Sequence, residues 1–452
     1  MIVCGSWIVD RTEGFRWSAD GRPLLCGQPT TNSKTINRCL YFMSSSLNIV
    51  VIGGGAAGFF GAITAAETFL DATVTILEKT RTVLNKVRIS GGGRCNVTHA
   101  CFDNRQLVKH YPRGEKPLRI LLNQFDAAAT VRWFEGRGIA LKTEADGRMF
   151  PATNTSETIV DCLLNTARRL RIDIRTSCGV SSLTQDSAQT GWQLTLLDGS
   201  TVRADRVLVA TGGYPQLPSY DWLPGQAEPL LSPVPSLFTF NVPDSPLLPL
   251  AGVSVPDAGV SIVGTKQEQR GPLLLTHWGF SGPAVLRLSA WAARELADVN
   301  YRFTLRVNWA PMLNDNLIRT ALQNFRQQNG RKQVASQNPL ELPARLWQAM
   351  VQESGIADEQ RWADLPAKPL NRLADRLTNS QFRVTGKSTF KDEFVTCGGI
   401  ALGSLHPQTL ESATQPGLFF AGEVLDVDGI TGGFNFQSAW TTGYVAGLNI
   451  GR

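Results

Sequence analysis

The chain has 452 residues, 42% of them hydrophobic and 18% charged, a composition that excludes disordered and low-complexity classes and predicts two or three domains. No apolar run reaches the roughly 20 residues of a membrane-spanning helix. Eight cysteines without C-x-x-C pairs exclude a disulfide scaffold or zinc site and fit a reducing cytoplasm. The net charge of +6 and pI of about 8.9 are compatible with a polyanionic partner and too diffuse to identify one.

Residues 1–46 mix Trp, Arg, Asp and Pro without periodicity and contain no secretory apolar region, so they read as a disordered extension. One reading starts translation at Met43; the other, a transit peptide, is disfavoured by Asp10, Glu13 and Asp20. The β-branched run 48–52 reads as a buried parallel strand running into Gly53, Gly54 and Gly55, with an Ala-rich helix over 56–69. Gly53, Gly55 and Gly58 stand at G-x-G-x-x-G spacing, which places a pyrophosphate on the unpaired N–H groups of the helix start. A second strand, 74–77, ends at Glu78, whose carboxylate suits the ribose hydroxyls of FAD or NAD better than the phosphorylated ribose of NADP.

Residues 85–98 read as a loop in which Gly91, Gly92 and Gly93 offer backbone donors among Lys86, Arg88, Arg94 and Asn96. Segments 118–138 and 157–170 have helical periodicity on either side of a strand pair near 140–150. Asp198-Gly199 marks a hairpin between 191–197 and 201–208, and strand 207–210 then meets Gly212 and Gly213. High proline density over 215–256 marks a domain boundary. Strand signals at 259–263, 273–276 and 302–307 predict a β-rich domain, and 314–379 is helical in period. Near the end, strand 418–421 delivers Gly422 and Glu423, and Gly432 and Gly433 precede a helix over about 435–448. That acid suits ribityl hydroxyls, and that helix start suits the flavin edge where negative charge accumulates on reduction.

The segments ISGGGRCNVT, ATGGYP, PVPSLFTF, LLTHWGFSGP and GEVLDVDGITGGFNFQSAWTTG resemble the BaiN-like bacterial flavoproteins, also catalogued under the names RdsA, YhiN and aminoacetone-oxidase-like. The likeness runs from Asn48 to the C-terminus. It implies an α/β chain with a discontinuous Rossmann-type FAD-binding domain (47–215 and 394–452), an inserted β-barrel (216–310 and 381–393) and a small helical insert (311–380). The implied FAD contacts are Gly53, Gly55, Ala56, Ala57, Gly58, Glu78, Lys79, Lys86, Gly92, Gly93, Arg94, Cys95, Asn96, Ala210, Thr211, Gly212, Gly422, Glu423, Asp428, Gly432, Gly433, Phe434 and Asn435. The chain departs from the family after Gly213, where Tyr214-PQLPSYDWLPGQAEP replaces a longer glycine-rich stretch.

Family members reduce conjugated C=C bonds in steroids, oxidise amines, or reduce a uridine of large-subunit ribosomal RNA to dihydrouridine. Three classes therefore stand open: a reductase fed transiently by NADH or NADPH, an oxidase using O2, and a flavoenzyme that docks on ribosomal RNA. Cys95 and Cys101 miss the C-x-x-x-x-C spacing of a redox dithiol, which favours reduction of an activated C=C bond, first in ribosomal RNA and next in a small molecule. His277 and Cys95 are the candidate proton donors, each with a structural alternative, a turn histidine and a packing thiol. His99, His110 and His406 have no neighbouring ligands in the sequence, so no metal site is expected.

Overall fold

The central strand Asn48–Ile52 carries Ile49, Val50 and Val51 fully buried, as a strand covered on both faces must. In the computed structural model, which describes residues 46–186, 191–224, 229–388 and 395–452, it lies third in a five-stranded parallel sheet. The order across that sheet is Leu418–Phe420, Arg206–Val209, Asn48–Ile52, Thr73–Leu77 and Asp173–Arg175. The expected extension falls, but for Ser46, outside the described residues, as do 389–394 at the expected return to the FAD domain. No helix of the described residues is long and apolar enough to cross a membrane.

The first helix, Ala56–Thr68, and the last, Phe434–Asn449, pack on each other across one face of this sheet. The last helix is buried on most sides and carries no charged residue, its buried Gln437, Ser438, Thr441, Thr442 and Asn449 lying among small and apolar side chains. Glycines set the closeness of the two: a Cβ on Gly443 would lie 2.5 Å from the Ala57 carbonyl oxygen, and one on Gly447 2.4 Å from that of Gly61. Polar groups on the last helix tie neighbouring segments to it. Trp440 Nε1 donates to the Val97 carbonyl (2.9 Å), and Thr442 Oγ1 accepts from the Gly422 N–H (2.9 Å).

Three sequence expectations change. Residues 85–93 are not a plain loop: they begin as a helix that breaks where Ser90 turns extended and Gly91 and Gly92 take φ of +58° and +68°. Segment 118–138 is two helices, Glu115–Leu121 and Ala127–Glu135, because the Asp126 side chain accepts from Ala129 N–H and starts a new helix. Segment 201–208 divides at Asp205, which accepts from Asn48 N–H; Thr201–Ala204 completes the hairpin and Arg206–Val209 enters the parallel sheet.

Beginning inside the proline-rich stretch, a seven-stranded sheet has its own core, including Phe240, Val260, Leu273 and Leu305. Pro256 lies inside the strand Ser254–Ile262, and the ladder shifts register between Val255 and Ala258, as a residue without an N–H requires. The two edges of this sheet, Ser380–Val384 and Gly386–Ser388, are consecutive in the chain and separated by Thr385 alone. Helices Asp315–Gln328, Ala344–Glu353 and Ala367–Asn379 contribute Ile318, Leu322, Trp347, Leu370 and Leu373 to that same core, so they form a layer on the sheet.

Since the two helices meet backbone to backbone, Gly443→Ala and Gly447→Ala should each destabilise the protein by about 1–3 kcal/mol through overpacking. Urea denaturation measures this, and an unchanged midpoint would contradict the packing described.

Candidate functional site

The parallel strands end together at Gly53, Glu78, Ala210 and Ala421, which places the glycine turns at the carboxyl edge of the sheet, where open α/β folds hold ligands. Gly53 has φ +112°, and a Cβ there would stand 2.4 Å from the Ala210 carbonyl oxygen; at Gly58 it would stand 1.9 Å from that of Gly53. Both glycines are required by the turn itself. Gly55 differs: its φ is −92°, and a Cβ there meets nothing within 4 Å. Gly55 also caps the first helix without a side-chain hydrogen bond, so the helix's first N–H groups lack a side-chain partner there. A Cβ on Gly92, Gly93 or Gly212 likewise meets nothing within 4 Å. Uncapped N–H groups facing open space fit a pyrophosphate. These residues therefore suit the expected FAD.

Several expected side chains are already engaged within the protein. Glu78 accepts from Gly54 N–H through Oε2 and from Thr80 N–H through Oε1, both at 2.8 Å. Lys86 donates to Glu423 Oε2 (2.7 Å), while Glu423 Oε1 accepts from Thr396 N–H (2.9 Å). Arg94 pairs with Glu144 (2.7 Å) and covers the Phe150 ring, and the Lys79 ammonium lies over Tyr214. Asn96, with its amide oriented to satisfy its surroundings, accepts from Gly433 N–H (2.9 Å) and donates to the Thr98 carbonyl. Asn435 exchanges two hydrogen bonds with the Gly429 backbone. These two asparagines brace the Gly432–Gly433 turn. Asp428 is fully buried and held by the Arg113 guanidinium and the Ser236 hydroxyl. Ala56, Ala57 and Thr211 accompany the glycine turns by their backbone positions.

The two expected proton donors lie apart. Cys95 is fully buried in the core around the parallel sheet, and burial pushes its thiol up to about 12. It takes the place of a packing residue. His277 is exposed in the turn between strands Glu268–Thr276 and Gly279–Ser281. Two histidines that looked unrelated in the sequence instead meet at Phe434. The His99 ring is 4.8 Å and the His110 ring 4.3 Å from the Phe434 ring, both stacked on it, with the imidazoles 6.1 Å apart. Burial lowers the pKa of each, and at His110 the charges of His99 and Arg287 lower it further. Phe434 itself is 2% exposed, so its ring serves this cluster. A surface cavity of about 650 Å³ lined by Ile120, Gln124, Gln408 and Arg452 contains none of the expected residues. Among the described residues no group of three or more His, Cys, Asp or Glu is placed to hold a metal ion.

Comparison with known proteins adds family and relatives. The model of the HI0933-like protein Rossmann domain matches residues 47–449. The 3-dehydro-bile acid delta(4,6)-reductase of Clostridium scindens is 29% identical over 410 residues, covering 88% of this chain and 98% of the relative. Ribosomal RNA dihydrouridine synthase of Escherichia coli is 29% identical over 418 residues (89% and 97%), and that of Haemophilus influenzae 28% identical over 421 residues (91% and 100%).

Two outcomes follow from this geometry. Gly55→Val should fold with the melting temperature of flavin-free wild type while the flavin content of the purified protein drops by about tenfold or more, a loss of about 1.4 kcal/mol in binding; full flavin content would contradict the assigned cradle. Asp428 gives a pH test. Burial, opposed by Arg113, raises its carboxyl to about 6, above the ~3.9 of an unfolded chain. The folded state therefore holds this proton more tightly between pH ~4 and ~6, and the contribution to stability declines as pH rises through that window. The stability of wild type minus that of Asp428→Asn should fall across it, and a constant difference would contradict the raised value.

Proposed function

The chain belongs to the HI0933-like protein Rossmann family and is an FAD-dependent oxidoreductase, and we propose that it reduces a C=C bond conjugated to a carbonyl, first of all in a uracil of ribosomal RNA. One observation carries this reading: the names of its relatives, a delta(4,6)-reductase of a 3-dehydro-bile acid and a dihydrouridine synthase, describe the same change, two hydrogens added beside a carbonyl. Small-molecule enone reduction is the second reading, supported by the bile acid reductase, which is as similar as the RNA enzymes. Amine oxidation comes third.

The residues are assigned as follows. The first-helix start at Gly55 binds the pyrophosphate, and Gly53 and Gly58 shape its turn. Glu78 faces the adenosine ribose, and the Lys86–Glu423 pair faces the ribityl chain. The last-helix start at Gly432, Gly433 and Phe434 lies toward the flavin edge and favours negative charge there. When bound, the flavin supplies the hydride that adds to the alkene. NADH or NADPH serves as a passing reductant. The seven-stranded sheet, whose edge strands are joined by one residue, is read as a barrel inserted into the FAD-binding domain, with the helical layer as its insert. A basic balance of 44 Lys and Arg over 38 Asp and Glu suits phosphate contacts with RNA in the cytoplasm.

Deleting the gene in its host and quantifying dihydrouridine in purified 23S RNA tests the first reading. Loss that wild-type protein restores and the Gly55 variant does not is the expected result. An unchanged level would remove the RNA reading and leave the small-molecule one.

A further inference from the structure

We propose that His99, His110 and Arg287, gathered where Phe434 opens the last helix, receive the carbonyl oxygen of the substrate and return a proton to the carbon beside it. This rests on the reading of the protein as a reductase of conjugated C=C bonds. It replaces Cys95, buried in the core, and His277, in a turn of the seven-stranded sheet, as proton donor.

The cluster is assembled from three stretches of the chain, residues 99–110, Arg287 and Phe434. His99 ends the short strand Thr98–His99, His110 ends the turn Val108–His110, Arg287 lies on the helix Pro283–Trp291, and Phe434 begins the last helix. Phe434 is fixed from beneath: Tyr111 Oη donates to its carbonyl at 2.7 Å. The two imidazoles are half-buried on its ring. His99 Nε2 lies 3.1 Å from the Asp146 carbonyl, whereas its Nδ1 is buried with no partner. The Nε of Arg287 is also buried with no partner, its Nη2 donating to the Arg270 carbonyl. Neither ring nitrogen of His110 has a hydrogen bond among the described residues. Folding alone gives no reason to collect three basic groups with two orphaned nitrogens, since each unpaired buried polar atom costs about 1–3 kcal/mol. Gly432 lies against the same rings: a Cβ there would stand 2.9 Å from the Phe434 ring and 3.6 Å from that of His99.

Those groups match what the reaction demands. Hydride adds to the alkene carbon remote from the carbonyl, the π pair moves toward the carbonyl oxygen, and that oxygen becomes anionic. Arg287 and an imidazole N–H donate to it. An imidazolium then gives its proton to the neighbouring carbon. One π bond is lost, two C–H bonds form, and the reduced flavin, recharged by a nicotinamide, is oxidised by two electrons. The charged neighbours of His110 are His99 and Arg287, and that of His99 is Asp146; burial and the charges of His99 and Arg287 disfavour the His110 imidazolium, so the donor is a minor but more strongly acidic form near neutrality.

The test uses the FAD-loaded protein and 4-chlorophenol, whose phenolate copies the oxygen-centred charge and gives a long-wavelength band when stacked on oxidised flavin. Wild type should bind the phenolate, His110→Asn and Arg287→Met should each weaken it by about tenfold or more, and Arg287→Lys should recover part of the loss. Unchanged melting temperature and flavin content in these variants separate the effect from misfolding. Should a variant lose flavin, the wild-type protein decides alone: the imidazole NMR resonances of His99 and His110 must shift on phenolate addition. No band with wild type, equal binding in both variants, or unshifted resonances would overturn the proposal. If the variants reoxidise with an enone as fast as wild type, the reductase reading stands and this site falls. If phenolate binding depends on both residues and no C=C bond is reduced, the proton transfer falls with that reading and only the anion contact survives.

Discussion

The close approach of the first and last helices is the constraint on which the rest of the structure depends. Glycine inside a helix costs about 0.5–1 kcal/mol relative to alanine, and this pair carries Gly58, Gly61, Gly443 and Gly447. The loss is offset by backbone contact between segments nearly 400 residues apart in sequence, in the densely packed interior around the parallel sheet. The same contact brings the turn at Gly422 against Ala57, whose Cβ would be 2.7 Å from a Cβ there. The turns at Gly53 and Gly422 thereby share one edge of the sheet although they come from opposite ends of the chain.

A second constraint sets the two cores against each other. Arg113 donates to Asp428 with two nitrogens and to the Ala290 carbonyl with a third position, and Asp428 also accepts from Ser236. Arg294 adds an ion pair with Asp426 (2.8 Å). Buried ion pairs contribute little net stability because desolvation nearly cancels attraction. Their effect here is geometric. Arg113 lies three residues beyond His110, and Ala290 three beyond Arg287, so the hydrogen bond from Arg113 to the Ala290 carbonyl ties the segment of His110 to the helix Pro283–Trp291 that carries Arg287.

Much of this was legible because it is local. The buried strand, glycine turn, helix, strand and acid over 48–78 repeat in the structure in the order the sequence predicts, as does the closing strand and helix. The resemblance to the BaiN-like family was equally legible, since its motifs lie in short runs and the family model covers residues 47–449. Contacts at long range were not. Lys86 and Glu423 are 337 positions apart, and nothing in the sequence pairs them. His99 ends a short strand and His110 a short turn, so no single element joins them; only the fold stacks both on Phe434. The break at Asp126 did leave a signal, an N-cap residue within a helical pattern, which periodicity overrode.

The proposed function requires that the turns at both ends of the chain hold a single FAD. Denaturing the purified protein anaerobically and identifying the released flavin by chromatography tests it most directly. The account predicts FAD at one per chain; FMN, or no flavin after refolding with FAD supplied, would contradict it.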